Sequence, residues 1–235
     1  MKNIIVTGGS SGIGKAIIKK FQNENLNVIN FDIKKNPDIY TYKINLNNTK
    51  NIKKIFLKVQ NKFKKIHGLV NCAAITVAGN SINYGLADWN KTIMVNLTAP
   101  FILCQLVAKN MIKYKIKGSI LNVTSIGAEQ AFPENPAYQT SKAALKHLTK
   151  SLAYDFAAMN IRVNSVAPGY TKTSMNQKSW NDKKKRNARS RKTLLNRWAN
   201  PNEIAEAVNF LISENSSYIT GSNLIVDGGW TSKGL

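Results

Sequence analysis

The segment from Lys2 to Phe21 leaves the chain few architectures. A short β-branched run, Lys2 to Thr7, feeds straight into Gly8-Gly9-Ser10-Ser11-Gly12-Ile13-Gly14, after which Ala16, Ile17, Ile18 and Phe21 recur with a helical period. Strand, glycine turn and helix in this order make a phosphate site. Glycines let the backbone turn tightly and approach a pyrophosphate closely. The first N–H groups of the helix lack intrahelical acceptors and carry partial positive charge. The spacing is GxxxGxG rather than GxGxxG. A glycine-rich turn alone does not define a nucleotide site, so the remaining segments have to narrow it.

The next apolar run, Asn27 to Phe31, ends in Asp32. An acid at the end of the second strand accepts hydrogen bonds from ribose hydroxyls and repels a 2′-phosphate, which favours NAD over NADP. Lys34 and Lys35 follow and soften that discrimination. Ile39 to Ile44 reads as a third, edge strand. Asn47 and Asn48 are cap candidates for a helix carrying Ile52, Ile55, Phe56, Val59 and Phe63, whose other face is nearly all lysine. Gly68-Leu-Val-Asn-Cys-Ala-Ala-Ile is a buried fourth strand ending in small residues. Trp89 to Tyr114 is a long apolar helix containing Asn96, an amide that needs a partner if buried. Ser119 to Thr124, Ile161 to Val166 closed by Pro168-Gly169, and Asn223 to Asp227 supply further strands. A helix follows Pro136, and Pro201-Asn-Glu-Ile opens another. Strands alternating with helices predict a Rossmann-type α/β fold, a doubly wound parallel sheet of about seven strands with helices on both faces. Residues 1–235 form one domain. Within it residues 171–198, polar and basic with little periodicity, are expected to be a mobile substrate lid.

A formal charge of +22 raises nucleic-acid binding, but the lysines are spread along the chain without an RNP, zinc or helix-turn-helix signature. One cluster is denser: Lys178, Lys183, Lys184, Lys185, Arg186, Arg189, Arg191 and Lys192, opposed only by Asp182. It either steers an anionic substrate or is solvated surface. Cys72 and Cys104 lie in apolar surroundings and read as free thiols, while His67 and His147 lack ligand-like neighbours, so no metal is expected. Glycines follow the first strand at once, which predicts a soluble cytoplasmic protein without signal peptide or membrane partner.

The chemistry is concentrated between Ser125 and Lys142. If the segment after Pro136 is a helix, Tyr138 and Lys142 are i and i+4 neighbours on one face. An ammonium beside a phenol favours the phenolate and lowers its pKa from about 10. The pair is then expected to exchange a proton near neutral pH. Ser125 ends a buried strand, at the carboxyl edge where open sheets bind ligands.

Taken together, these residues resemble the short-chain dehydrogenase/reductase family over essentially the full chain. The matches are Thr7-Gly8-x3-Gly12-Ile13-Gly14, Asn71 with Ala73, Asn96, Ser125, Tyr138-x3-Lys142, Pro168-Gly169 with Thr173, and Val226-Asp227-Gly228-Gly229. The resemblance implies that Tyr138 is the general acid/base and that Ser125 holds the substrate oxygen. Lys142 would tune Tyr138 and bind the nicotinamide ribose, and Asn96 would keep a relay water. It also implies a cofactor surface of Gly8, Ser10, Ser11, Gly12, Ile13, Gly14, Asp32, Asn45, Leu46, Asn71, Ala73, Tyr138, Lys142, Pro168, Gly169, Thr171 and Thr173. A homotetramer built through paired helices and the C-terminal segment is implied as well. Two departures stand out. The usual Asn-Asn-Ala-Gly is Asn71-Cys72-Ala73-Ala74, and Asn45 stands where an Asp often contacts adenine.

Three functions fit. The first is NAD-dependent oxidation or reduction of a polyhydroxylated small molecule, a sugar, polyol or sugar acid. It follows from the similarity of residues 131–138, Lys178-Ser-Trp, Thr193-Leu-Leu-x-Arg-Trp and Gly228-Gly-Trp-x-x-Lys-Gly-Leu to members of sugar metabolism, and from a polar pocket edge at Glu129, Gln130 and Glu134. The second is 3-oxoacyl-acyl-carrier-protein reduction, with the basic lid docking an acidic carrier. The third is a non-catalytic cofactor-binding regulator.

Overall fold

A parallel strand covered by helices on both faces has no solvent side, so its residues run continuously apolar, as Ile4-Ile5-Val6 and Ile120-Leu121 do. In the computed structural model, which describes residues 1–36 and 39–233, these runs become seven strands. They are β1 (Asn3–Thr7), β2 (Asn27–Asp32), β3 (Thr41–Lys43), β4 (Gly68–Asn71), β5 (Ser119–Val123), β6 (Arg162–Pro168) and β7 (Asn223–Val226). One sheet holds them in the order β3-β2-β1-β4-β5-β6-β7, and every pairing is parallel. From β1 the chain winds out to β3, then restarts on the other side at β4. The crevice at the carboxyl ends of β1 and β4 is therefore the switch point where such sheets take ligands.

Helices α1 (Gly12–Asn23) and α8 (Pro201–Ile212) cover one face, packing Ile17, Ile18, Phe21, Ile204 and Val208 on Ile4 and Val6. On the other face, α2 (Thr49–Phe63), α4 (Ala99–Lys113) and α5 (Pro136–Phe156) bury Ile52, Phe56, Val107, Met111 and Leu152. Truncating a fully buried aromatic such as Phe56 to alanine would cost about 3–5 kcal/mol. Of the two cap candidates for α2, Asn48 serves, its Oδ1 accepting the Asn51 N–H at 2.9 Å; α8 opens at Pro201 as expected, with Glu203 Oε2 accepting the Asn200 N–H at 2.8 Å.

Three segments differ from the sequence expectation. The third strand starts at Thr41 rather than Ile39, just after residues 37–38, which lie outside the described residues, as do Gly234 and Leu235 of the C-terminal signature. The helix expected over Trp89 to Tyr114 begins earlier, as α3 (Leu86–Ile93), and passes through a π-helical turn at Met94–Thr98 before α4. Pro100 has no N–H to give the Asn96 carbonyl four residues back, and the chain widens by one residue there: Ala99 donates to the Met94 carbonyl instead. By length and composition Leu86–Lys113 is apolar enough to cross a membrane, but half of its most apolar window is buried inside this fold, where Leu103, Cys104, Val107 and Met111 belong to the core. Finally, residues 171–198 contain two helices, α6 (Gln177–Asn181) and α7 (Lys183–Arg191), the second capped by Asp182 Oδ1 accepting the Lys185 N–H at 3.0 Å. Their periodicity is hidden because the inward positions are Trp180, Arg186 and Arg189 rather than aliphatics.

Candidate active site

The glycine turn sits at the carboxyl end of β1 and is built from backbone necessity. Gly8 has φ +73°, and a Cβ there would lie 2.8 Å from the Ala73 Cα. A Cβ on Gly14 would lie 2.2 Å from the Gly8 carbonyl oxygen. Ser11, the residue before α1, is extended and makes no side-chain cap bond, and the first turn holds no acid. The N–H groups opening α1 are thus left for a ligand, and a pyrophosphate suits them. Two side chains to which the sequence assigns no role hold this turn. Thr7 Oγ1 accepts the Cys72 and Ala73 N–H groups at 3.0 Å each, and buried Asn30 accepts the Gly9 N–H at 2.9 Å while donating to Ser10 Oγ at 3.1 Å. An amide among the apolar residues at the centre of β2, between Ile29 and Phe31, is the available signal for Asn30, since buried polar groups need partners.

Asp32 closes the turn from the β2 side. Its Oδ2 accepts the Ser10 N–H and its Oδ1 the Lys34 N–H, both at 3.0 Å, so a carboxylate faces the end of the crevice where an adenosine ribose would lie. Across the crevice, Thr173 lies beside Gly12, where an added Cβ would sit 3.3 Å from the threonine side chain. Thr171 is buried, its Oγ1 donating to the Gly169 carbonyl at 3.0 Å, and Gly169 follows Pro168 with its N–H on the Val226 carbonyl. Gly8, Ser10, Ser11, Gly12, Ile13, Gly14, Asp32, Ala73 and Thr173 thus surround one crevice whose donors and acceptors fit a nicotinamide dinucleotide. Ala74 does not have positive φ, so the lost family glycine is tolerated by ordinary backbone.

At three expected cofactor residues the side chains already have structural partners. Asn71 is buried against its register partner on β5: its Nδ2 donates to Asn122 Oδ1 at 2.9 Å, leaving Asn71 Oδ1 unpaired. Leu46 points into the core, and Asn45 Oδ1 accepts the Asn47 N–H at 2.9 Å. For a ligand, Leu46 offers its backbone, Asn71 its unpaired Oδ1 and backbone, and exposed Asn45 its Nδ2 and a second Oδ1 lone pair.

Ser125 lies two residues past β5 and caps a short 3-10 turn, Ile126–Ala128; its Oγ accepts the Gly127 N–H at 3.1 Å, and the residue is almost fully buried. Tyr138 lies on the first turn of α5, with its phenol near enough to the Ser125 hydroxyl for that group to lower its pKa. Lys142, one turn on, is 2% exposed, with Nζ 5.8 Å from the Tyr138 ring centroid. The three groups meet, as the spacing predicts. Their electrostatics correct the expectation. Burial dominates at Tyr138 and lifts the phenol above its ordinary value, Ser125 opposes this, and the Lys142 ammonium donates to the Val123 carbonyl at 2.6 Å. Burial instead lowers Lys142 to about 8. Nearby Cys72 is pushed up to about 12 by burial and stays a thiol.

Asn96 lies in the π-helical turn, fully buried, and its amide is spent on structure: Oδ1 accepts the Ile75 N–H at 2.9 Å, and Nδ2 donates to the Ile75 carbonyl at 2.9 Å and Ser141 Oγ at 3.1 Å. It fixes the loop after β4 against α5. Glu129, Gln130 and Glu134 do line a cavity of about 440 Å³ with Phe132 and Gln139. The Glu129 carboxylate is not free for a sugar, because it accepts from Lys146 at 2.5 Å and Asn223 at 2.9 Å. Gln139, which no sequence pattern singles out, grips Phe132 through both its N–H and its carbonyl and holds the loop below Ser125.

A doubly wound sheet, an anion-ready glycine turn, and a Ser–Tyr–Lys set at the same crevice define a nicotinamide-dependent oxidoreductase that interconverts alcohols and ketones. A family model described as Enoyl-(Acyl carrier protein) reductase matches residues 8–231. The chain belongs to the short-chain dehydrogenase/reductase family. It is 37% identical to 3-oxoacyl-acyl-carrier-protein reductase FabG of Thermotoga maritima, over 97% of each chain, and 35% identical to L-xylulose reductase of Caenorhabditis elegans, over 98% of this chain and 96% of the relative. The solved structure of 4-hydroxyisoleucine dehydrogenase complexed with NADH superposes with a TM-score of 0.95 at 35% identity, covering 100% of both chains.

Proposed function

We propose that this chain is an NAD(H)-dependent enzyme acting on a secondary alcohol or ketone of a polyhydroxylated small molecule, a sugar, polyol or sugar acid. The observation that carries the cofactor choice is the Asp32 carboxylate set on the Ser10 N–H at the ribose end of the crevice, where a 2′-phosphate would meet a like charge. When bound, the nicotinamide supplies or accepts the hydride. Ser125 holds the substrate oxygen, and Tyr138 passes a proton to or from it. A phenol kept above its usual pKa by burial is ready to donate to a carbonyl. Its use as a base requires the Lys142 ammonium to turn from the Val123 carbonyl towards it. The likeness to L-xylulose reductase supports the sugar class.

The likeness to FabG of Thermotoga maritima supports a second reading, reduction of a 3-oxoacyl group on a carrier protein. Exposed apolar residues on α4 and α5, Phe101 and Tyr154, and near the C-terminus, Tyr218 and Leu224, support assembly into a homotetramer. Titration with NADH and NADPH, followed by a panel of polyols, sugar acids and an acetoacetyl thioester, tests the choice. A preference for NADH with turnover of polyols or sugar acids is expected. A strong preference for NADPH with turnover of the thioester alone would replace the first reading by the second.

A further inference from the structure

The inward face of α7 carries a cation without an acid to meet. Between residues 171 and 198 the lone acid is Asp182, and its carboxylate is taken by the N–H and ammonium of Lys185. Arg186 gives an N–H to the Trp180 carbonyl at 3.2 Å. Arg189, one turn on and half-buried, has a guanidinium with no hydrogen bond or ion pair among the described residues. Its guanidinium instead lies 5.1 Å from the Tyr170 ring centroid and 5.7 Å from that of Trp198. Aromatic neighbours hold a guanidinium by its flat faces and leave its N–H edges free. Those edges present a forked set of donors whose geometry matches a carboxylate.

The rings that hold Arg189 continue to the catalytic serine. Tyr170, directly after Gly169, meets Trp230 edge-on with centroids 6.3 Å apart, and Trp230 meets Phe132 at 6.4 Å. Phe132 packs on Gly127, where an added Cβ would lie 2.9 Å from its ring, and the Gly127 N–H donates to Ser125 Oγ. One aromatic wall therefore runs from the reacting oxygen's anchor to an unpaired guanidinium. The outer lysines of α7, Lys183 to Lys185, are exposed and lie off this wall.

We propose that Arg189 is the carboxylate receptor of the cleft, so that the substrate is a hydroxy or oxo acid whose carboxylate lies remote from the carbon that exchanges hydride. This rests on the alcohol–ketone reading above and narrows its substrate class. The pairing would be direct, a forked contact in a partly desolvated site, in contrast to the long-range attraction exerted by the outer lysines.

Calorimetric titration of the NADH-loaded protein with succinate, and with butane-1,4-diol as its uncharged counterpart, tests this without requiring turnover. Succinate should bind saturably and the diol should not. Arg189→Gln should weaken succinate binding at least about tenfold, the scale of a lost charge-assisted pair, and Arg189→Lys should be intermediate because it keeps the charge without the fork. A Lys183→Gln/Lys184→Gln/Lys185→Gln variant should retain succinate affinity to within about twofold at physiological salt. The proposal is overturned if wild type does not bind succinate, if the diol binds equally well, or if both Arg189 variants match wild type. Failure of the alcohol–ketone reading would look different: no alcohol or ketone would be turned over, whatever succinate does.

Discussion

Replacing Lys142 with methionine separates what the buried ammonium does for catalysis from what it does to the fold. The side chain is 2% exposed, and burial lowers its pKa from 10.5 to about 8. At about 1.4 kcal/mol per pH unit, that displacement corresponds to about 3 kcal/mol of differential stability. Between about pH 8 and 10.5 the unfolded chain holds this proton more tightly than the folded one, so the unfolding free energy contributed by Lys142 rises with pH. Below about pH 8 both states are charged and the folded state bears the full desolvation penalty. Methionine fills a similar volume without a charge. Urea unfolding of cofactor-free wild type and Lys142→Met should therefore give curves whose separation is constant below pH 8. Wild type should then gain about 3 kcal/mol on the variant by pH 10.5, with unchanged m-values. Separation that stays flat across the whole range would refute the burial argument. With the proposed role of Lys142 the variant should also lose turnover, so that a side chain proposed to serve the chemistry destabilises the cofactor-free fold.

Two further perturbations address other parts of the site. Asp32→Ser removes the charge facing the ribose end, and the NADPH-to-NADH ratio of kcat/KM should rise at least about tenfold, equivalent to ~1.4 kcal/mol of relieved repulsion; an unmoved ratio would remove Asp32 from cofactor choice. Asn96→Ala breaks three hydrogen bonds of a fully buried amide at about 1 kcal/mol each, so thermal melting should fall by about 6–12 °C, with Asn96→Asp at least as damaging because a buried carboxylate oxygen would replace the Nδ2 donor and face the Ile75 carbonyl. Melting within about 2 °C of wild type would show that the Ile75 clamp is replaced by water.

Much of this architecture is legible because parallel strands and amphipathic helices write their burial into residue order. Ile4-Ile5-Val6 can only be an internal strand, and Tyr138 and Lys142 share a face by helical arithmetic. Less legible are features set by tertiary partners. The π-helical turn at Met94–Thr98 has a visible cause in Pro100, but a proline inside an apolar run reads equally as a simple kink. The sequence marks Asn71 and Asn96 through the family resemblance, but not the partners of their amides, Asn122 and Ile75, which lie far from them along the chain. Similarly, the sign of the Tyr138 shift depends on where the Lys142 ammonium points, and no spacing rule says that it faces the Val123 carbonyl. The α7 helix is illegible for another reason: its inward face is cationic and aromatic, a pattern that hydrophobic periodicity does not weigh.

The most direct test is Tyr138→Phe, assayed by nicotinamide absorbance with the best alcohol or ketone of the panel and by NADH titration in parallel. With the phenol as the proton carrier, turnover should drop by about 10²–10⁴-fold while NADH affinity stays within about twofold of wild type. Turnover close to the wild-type rate would contradict the assignment of Tyr138 as the acid/base and the mechanism built on it.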